Sequence, residues 1–199
     1  MKTFAETAKK YHEALDAAIV RALEGLAARG RRVSCARGCA WCCRLPVRAT
    51  LPEAALVAEY VRATMPEAES EELSARLAGW VSWHNDTLPE LSARGVSMQD
   101  AWQEHGPGCP FLKEESCLIY SVRPMGCRVH YSTMEPGFCG PDRDKAPLFS
   151  DPGTVAEIES AVKPICIDYR KKLEAADIVF EEIVKYLPEL VLGEIDDSV

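Results

Sequence analysis

The residues that can do chemistry in this chain are its cysteines, and they are clustered. Four fall within nine positions, as Cys35, Cys39, Cys42 and Cys43. Four more follow as Cys109, Cys117, Cys127 and Cys139. A thiolate is a soft donor, and sets of four thiolates suit Zn²⁺ or an iron–sulfur cluster. The spacing Cys39-x-x-Cys42, with Gly38 just before it, lets a short loop turn two sulfurs toward one ion. Cys42 and Cys43 are adjacent, so their side chains diverge. They either serve different metals or leave one thiol spare or reactive. Cys166 stands alone in an apolar helical stretch and reads as a buried core cysteine.

Disulfides are the rival explanation for clustered cysteines. They belong to oxidising compartments and to short chains that cannot build a core. Here charges recur through the first turns, so no signal peptide is readable. No apolar run is long enough for a membrane span. At 22.0 kDa the chain can bury a core without covalent staples. The expectation is a soluble cytoplasmic protein, with no membrane partner, whose thiols are reduced and ligate metal.

Net charge is −8, which argues against nonspecific nucleic-acid binding. The charge is uneven. Residues 1–50 carry ten Lys/Arg against four Asp/Glu, and the other 149 carry thirteen against 27. Arg29, Arg31, Arg32, Arg37, Arg44 and Arg48 all lie near the first cysteine group. Nearby cations lower thiol pKa and offset the negative charge of a four-thiolate centre, although an ordinary basic surface explains any one of them equally well.

The elements that must position these thiols are helical. Phe4, Ala8, Tyr11, Leu15, Ile19, Ala22 and Leu26 recur at helical spacing, and Gly30 supplies an end. Thr50 and Glu53 form a capping-box pattern that opens a helix to about Thr64, stopped by Pro66. A third helix is expected from Glu67 to near Asn85, burying Leu73, Leu77, Trp80 and Val81. Ser97 opens a short fourth, ended by Gly106-Pro107-Gly108. Residues 109–140 lack helical periodicity and read as a metal-organised loop region with little core of its own, in which Ser116–Tyr120 is a short strand or turn. From Asp151-Pro-Gly-Thr154 a long helical stretch is expected, with a stripe of Val155, Ile158, Val162, Ile165, Tyr169, Leu173, Ala176, Phe180, Ile183 and Leu187, kinked or divided at Pro164. The tail Gly193–Val199 reads as loose. The predicted fold is mainly α: a single domain over 1–199, with an N-terminal helix (1–30), a cysteine-cluster core (35–139) and a C-terminal helical segment (151–190). Its two irregular cysteine-rich regions are expected to converge on a metal centre.

Cys35-x3-Cys39-x2-Cys42 also fits the radical S-adenosylmethionine loop. That loop belongs after the first strand of a βα barrel, and here it follows a helix with no alternation of strands and helices behind it. A broader pattern fits better. Cys35, Cys39, Cys42-Cys43, then Cys109-Pro-Phe-Leu, Cys117-Leu-Ile-Tyr and Arg123-Pro-x-x-Cys127-Arg128 together resemble the CxxCxxCC cysteine-cluster family. That family is a zinc- or iron-chelating domain of bacteria and archaea that includes relatives of flagellin lysine N-methylase. The resemblance covers about residues 35–139, and Cys139 matches the position of the family's eighth cysteine. One departure is the three-residue gap between Cys35 and Cys39. The resemblance implies metal binding, with iron–sulfur or zinc as the cofactor and Cys35, Cys39, Cys42, Cys43, Cys109, Cys117, Cys127 and Cys139 as ligands. It implies methyl transfer only as one activity among its members.

Other residues speak less directly. Trp41 inside the first loop is placed to shield a metal from water. Arg123 is suited to a thiolate, to a substrate carboxylate or to loop carbonyls, and Arg128 is its neighbour in the motif. His130 is a candidate ligand or proton donor. His12, His84 and His105 read as surface histidines. Trp80, Trp83 and Trp102 read as packing residues. No Gly-rich phosphate loop, Gly-x-Ser-x-Gly or His-Glu-x-x-His is present. Three functions remain open: a metal cofactor supporting redox chemistry or side-chain modification such as lysine methylation, a structural-zinc interaction module with a protein partner, and metal storage or delivery.

Overall fold

The computed structural model describes residues 2–36, 38–139, 152–176 and 184–196. Helix α1 spans Lys2–Ala28. Its buried face is Ala5, Ala8, His12, Leu15, Ile19 and Leu26. Phe4 is exposed and His12 buried, the reverse of the sequence expectation. Gly30 ends the helix in a left-handed conformation at φ +72°. The Gly30 N–H bonds Ala27 C=O and the Arg31 N–H bonds Leu26 C=O, each at 3.0 Å, a Schellman motif.

Strand β1, Arg48–Thr50, runs directly into helix α2, Leu51–Thr64. The capping box is formed. Thr50 N–H donates to the Glu53 carboxylate at 2.8 Å, and Glu53 N–H donates to the Thr50 hydroxyl at 3.4 Å. Helix α3, Glu67–Ser82, stops earlier than its sequence pattern suggests. A π-helical turn, Trp83–Thr87, follows it and leads into α4, Leu88–Ala93. Ser97 caps α5, Met98–Asp100, which passes into a second π turn, Ala101–His105. Trp80, Trp83, Trp102, His84 and Tyr186 pack around these turns with ring centroids 4.8–6.1 Å apart. His84 also faces Glu189 at 3.1 Å, so it is a packing residue with an acidic partner.

The irregular region holds a two-residue hairpin. Strands β2, Leu112–Lys113, and β3, Ser116–Cys117, pair antiparallel with Leu112 opposite Cys117. Glu114 and Glu115 occupy the turn at φ 50° and 58°, the conformation a two-residue hairpin of matching twist requires. The short helix α6, Met125–Arg128, starts after Pro124. Helix α7, Pro152–Glu174, continues through Pro164 without being divided. It buries Thr154, Ile158, Val162, Tyr169 and Leu173. The stripe does not extend to Leu187 as one helix: Ala176 is exposed. Phe180 and Ile183 lie outside the described residues. Strand β4, Val184–Tyr186, pairs antiparallel with β1, and helix α8, Leu187–Asp196, begins at once. Gly193 is therefore helical, and the loose tail expected from that point is not found up to Asp196. Residues 197–199 lie outside the described residues.

Helix α1 packs on α2 and α7, while α8 packs on α2 and α3. The main core joins Ala54, Val57 and Val61 of α2, Leu73 and Leu77 of α3, and Leu187 and Val191 of α8. Phe111 and Ile119 of the cysteine-rich region complete that core and are 0% and 1% exposed. The region is thus not a loop lacking a core. It lends two large apolar side chains to the central one, each worth about 1.5–3 kcal/mol of transfer energy when buried.

One buried charge lies where four elements meet. Glu53 is 3% exposed. One of its oxygens accepts from the Thr50 N–H and hydroxyl at 2.8 and 2.9 Å. The other accepts from the Met125 N–H at 2.7 Å and faces His12 Nε2 at 3.3 Å. The Thr50 hydroxyl also meets the Tyr169 hydroxyl of α7 at 2.8 Å. Burial pushes the Glu53 carboxyl up, but His12, Met125 and Thr50 outweigh it and hold the carboxyl below the ordinary value of 4.5. A depressed carboxyl contributes stability above its unfolded pKa and loses it as pH falls through the folded value. Stability is therefore expected to drop as pH falls below 4.5. Glu53→Gln should be less stable than the natural chain at neutral pH and show a flatter acid limb. Denaturant titrations at stepped pH check this, and parallel limbs would count against it.

Candidate metal centre

The two cysteine segments lie against each other. The first is a turn followed by a 3₁₀ helix, Trp41–Arg44, that carries Cys42 and Cys43. Gly38 sits at φ +94° before it, and Cys39 N–H bonds Ala36 C=O at 3.1 Å. Cys109 N–H donates to Cys43 C=O at 2.8 Å, which ties the start of the second segment to the first. At the other end, Ser34 N–H bonds Ser132 C=O at 2.9 Å, and Ser132 N–H donates to the Cys35 sulfur at 3.1 Å. The 3₁₀ turn Pro136–Cys139, which ends in Cys139, packs on Trp41–Arg44.

Each thiol of the second segment has a definable support. Phe111 fills the core two residues after Cys109, and its backbone amide favours the Cys109 thiolate. Ile119 stands in the same relation to Cys117. Both apolar residues belong to the Cys-Pro-Phe-Leu and Cys-Leu-Ile-Tyr runs, so one residue anchors the chain by its side chain and serves a sulfur by its N–H. Cys127 rides on α6. The turn is held on one side by Glu53 and on the other by Arg128, which is 2% exposed. Arg128 Nε bonds Arg123 C=O at 2.8 Å, and its guanidinium also reaches Ser121 C=O and the Asp16 carboxylate of α1. It is a fold clamp adjoining a candidate ligand.

Several of the thiols act on one another electrostatically. Burial pushes Cys109 and Cys127 up to about 12, with neighbouring thiolates adding to the rise. Burial also raises Cys35 and Cys117, opposed by the Ser132 and Ile119 amides. Cys43 is raised because it donates its S–H to Cys42. Cys42 is lowered by that same hydrogen bond and further by His130 and Arg123. Cys42 is the exposed cysteine; the other eight are half-buried. Cys166 packs beside the α1–α7 cluster of Leu15, Ile19, Leu26, Ile158 and Val162 but is half-buried rather than the fully buried core residue expected.

Several of the arginines near the first cysteine group in sequence are engaged with other partners. Arg29 and Arg31 pair with Glu157 of α7, Arg44 lies 5.4 Å from the Trp41 ring centroid, and Arg48 bonds Val184 C=O at 2.9 Å. Arg37 lies outside the described residues. Arg123 stacks on Tyr120 at 3.8 Å and donates to Tyr120 C=O at 2.9 Å, yet its charge still favours the thiolates of Cys42, Cys117 and Cys127. His130 is exposed and Trp41 half-buried. Sequence reasoning gave Glu53 its cap but not its bond to Met125, and missed Phe111 and Ile119 as core residues. The last two lie inside the very motifs that were singled out for their cysteines.

The donor set suits a soft metal: sulfurs on two tied segments, with backbone amides opposing the burial that raises Cys35, Cys109 and Cys117. Among the described residues no three His, Cys, Asp or Glu side chains form a group arranged to hold an ion. The family model "CxxCxxCC: Putative zinc- or iron-chelating domain" matches residues 34–146, more than half of the chain. The chain belongs to the CxxCxxCC family. Comparison with the curated proteins and with the solved structures found no match. The CxxCxxCC match supports metal binding and leaves zinc and iron as alternatives. The fold is mainly α, and among the described residues no helix is long and apolar enough to cross a membrane.

Thiolate chemistry gives a direct check. In metal-free, reduced protein at neutral pH, limited alkylation followed by peptide mass spectrometry is expected to mark Cys42 first and to spare Cys109 and Cys127. Labelling of Cys109 ahead of Cys42 would contradict this electrostatic arrangement.

Proposed function

We propose that this protein binds its metal through Cys35, Cys39, Cys42, Cys43, Cys109, Cys117, Cys127 and Cys139, and that the metal crosslinks the two cysteine segments. The observation that carries the reading is the bond from Cys109 N–H to Cys43 C=O, which brings cysteines 66 positions apart in sequence onto neighbouring backbone. Binding turns the thiols inward on a backbone already in place and displaces their protons. Affinity therefore rises with pH. The metal, when bound, supplies charge neutralisation among thiolates that otherwise repel, and, if it is an iron–sulfur cluster, a redox couple.

Redox chemistry, which requires the iron–sulfur form, or modification of a protein side chain such as lysine methylation, is the finer proposal. A structural-zinc module is the second reading. It is favoured by the sparse regular structure of residues 123–139, where crosslinking contributes most. Either form suits a protein partner better than nucleic acid, given the net charge of −8.

Anaerobic purification with an absorption spectrum and elemental analysis decides the metal. Broad visible absorption with iron and sulfide supports the cluster, and a colourless protein with stoichiometric zinc supports the module. Cys39→Ala and Cys127→Ser are each expected to lower the metal-to-protein ratio, while Cys166→Ala leaves it unchanged. Equal loss in Cys166→Ala would overturn the assignment of eight ligands and one packing residue. Chelation should open residues 123–139 to protease with most helical circular dichroism retained, while residues 109–119 stay protected by Phe111 and Ile119; unchanged resistance after confirmed metal loss would remove the structural role.

A further inference from the structure

We infer that Glu53 is the positioning residue for Cys127, acting through the Met125 amide; the inference rests on the metal-binding reading above. Cys109 and Cys117 are set by Phe111 and Ile119, which are locked in the core. In the Cys127 turn Met125 and Val129 are only partly buried, and its buried members are Pro124 and Arg128. Its first amide, at Met125, is one of the donors a helix start leaves without an intrahelical partner. Pro124 at the cap position offers no side-chain hydrogen bond. The partner comes from another helix: Glu53 accepts the Met125 N–H at 2.7 Å.

The carboxylate can act as a fixed post because it is itself fixed from three helices. Thr50 at the start of α2 holds one oxygen with both its N–H and hydroxyl. His12 of α1 faces the other oxygen. Tyr169 of α7 meets the Thr50 hydroxyl. His12 Nδ1 is buried without a hydrogen-bond partner, so Nε2 is the ring nitrogen through which it engages the network. A capping box needs no burial to work. Burying this carboxylate carries a desolvation cost that one helix cap does not require, and the extra bond it makes goes to the ligand-bearing turn. Groups of this kind, one step behind a metal ligand, typically set metal affinity 10–100-fold.

Two substitutions at Met125 separate the amide from the side chain. Met125→Pro removes the N–H at a first helical position, where proline fits. Pro124, at φ −59° and ψ 162°, already has the extended backbone a residue before proline adopts. Met125→Ala keeps the N–H and loses the side chain. Zinc is titrated into each reduced, full-length variant against a chromophoric chelator, with circular dichroism recorded alongside. Met125→Pro should bind zinc at least about 10-fold more weakly than Met125→Ala. Glu53→Gln should weaken binding in the same direction with its helical signal retained. Equal affinities in the Pro and Ala variants would overturn the inference. If the natural chain takes up no zinc or iron, the metal-binding reading fails by itself. Amide exchange at Cys127, whose N–H bonds Pro124 C=O at 3.0 Å, then decides the positioning: faster exchange in Met125→Pro than in Met125→Ala upholds it, and equal exchange refutes it.

Discussion

The buried carboxylate of Glu53 is the constraint on which the arrangement turns. It cannot remain charged in an apolar interior unless each oxygen is met, and the groups that meet it come from α1, α2, α6 and, through Thr50, α7. Satisfying one charge thereby fixes the mutual placement of two long helices, a helix cap and the turn that carries Cys127. Arg128 repeats the logic on the opposite side, drawing Asp16 of α1 and two carbonyls onto the next residue of the same turn. The cysteine-rich region is held between two buried ionic groups and two core side chains.

That scaffold fixes the irregular backbone that carries Cys109, Cys117 and Cys127. A four-thiolate site needs sulfurs converging from separate directions, yet burial of thiols penalises the thiolate form that binds. The fold answers with backbone amides at Phe111, Ile119 and Ser132 and with the charge of Arg123. The adjacent Cys42 and Cys43 divide the roles differently: the Cys43 S–H supports the Cys42 sulfur as a thiolate, and Cys42 is the exposed member of the pair.

Much of this was legible in sequence where local rules decide. The Thr50–Glu53 box, the stop at Gly30 and the irregular cysteine segments depend on neighbouring residues, and they are found as expected. The failures are tertiary. His12 looks like a surface residue until Glu53, 41 positions away, is placed opposite it. Phe111 and Ile119 lie in short runs without periodicity, so nothing local marks them as core. The C-terminal stripe kept helical spacing across residues 174–187, but pairing with Arg48–Thr50 made part of it a strand. Pro164 sits on an exposed position of α7, and the helix continues through it undivided.

X-ray absorption spectroscopy at the metal edge of the anaerobically purified protein tests the central claim most directly. Sulfur coordination from both cysteine segments predicts an inner shell of about four sulfurs, near 2.3 Å for zinc. Replacing Cys39 or Cys127 should each remove sulfur from that shell. A shell dominated by nitrogen or oxygen, or one indifferent to either replacement, would contradict it.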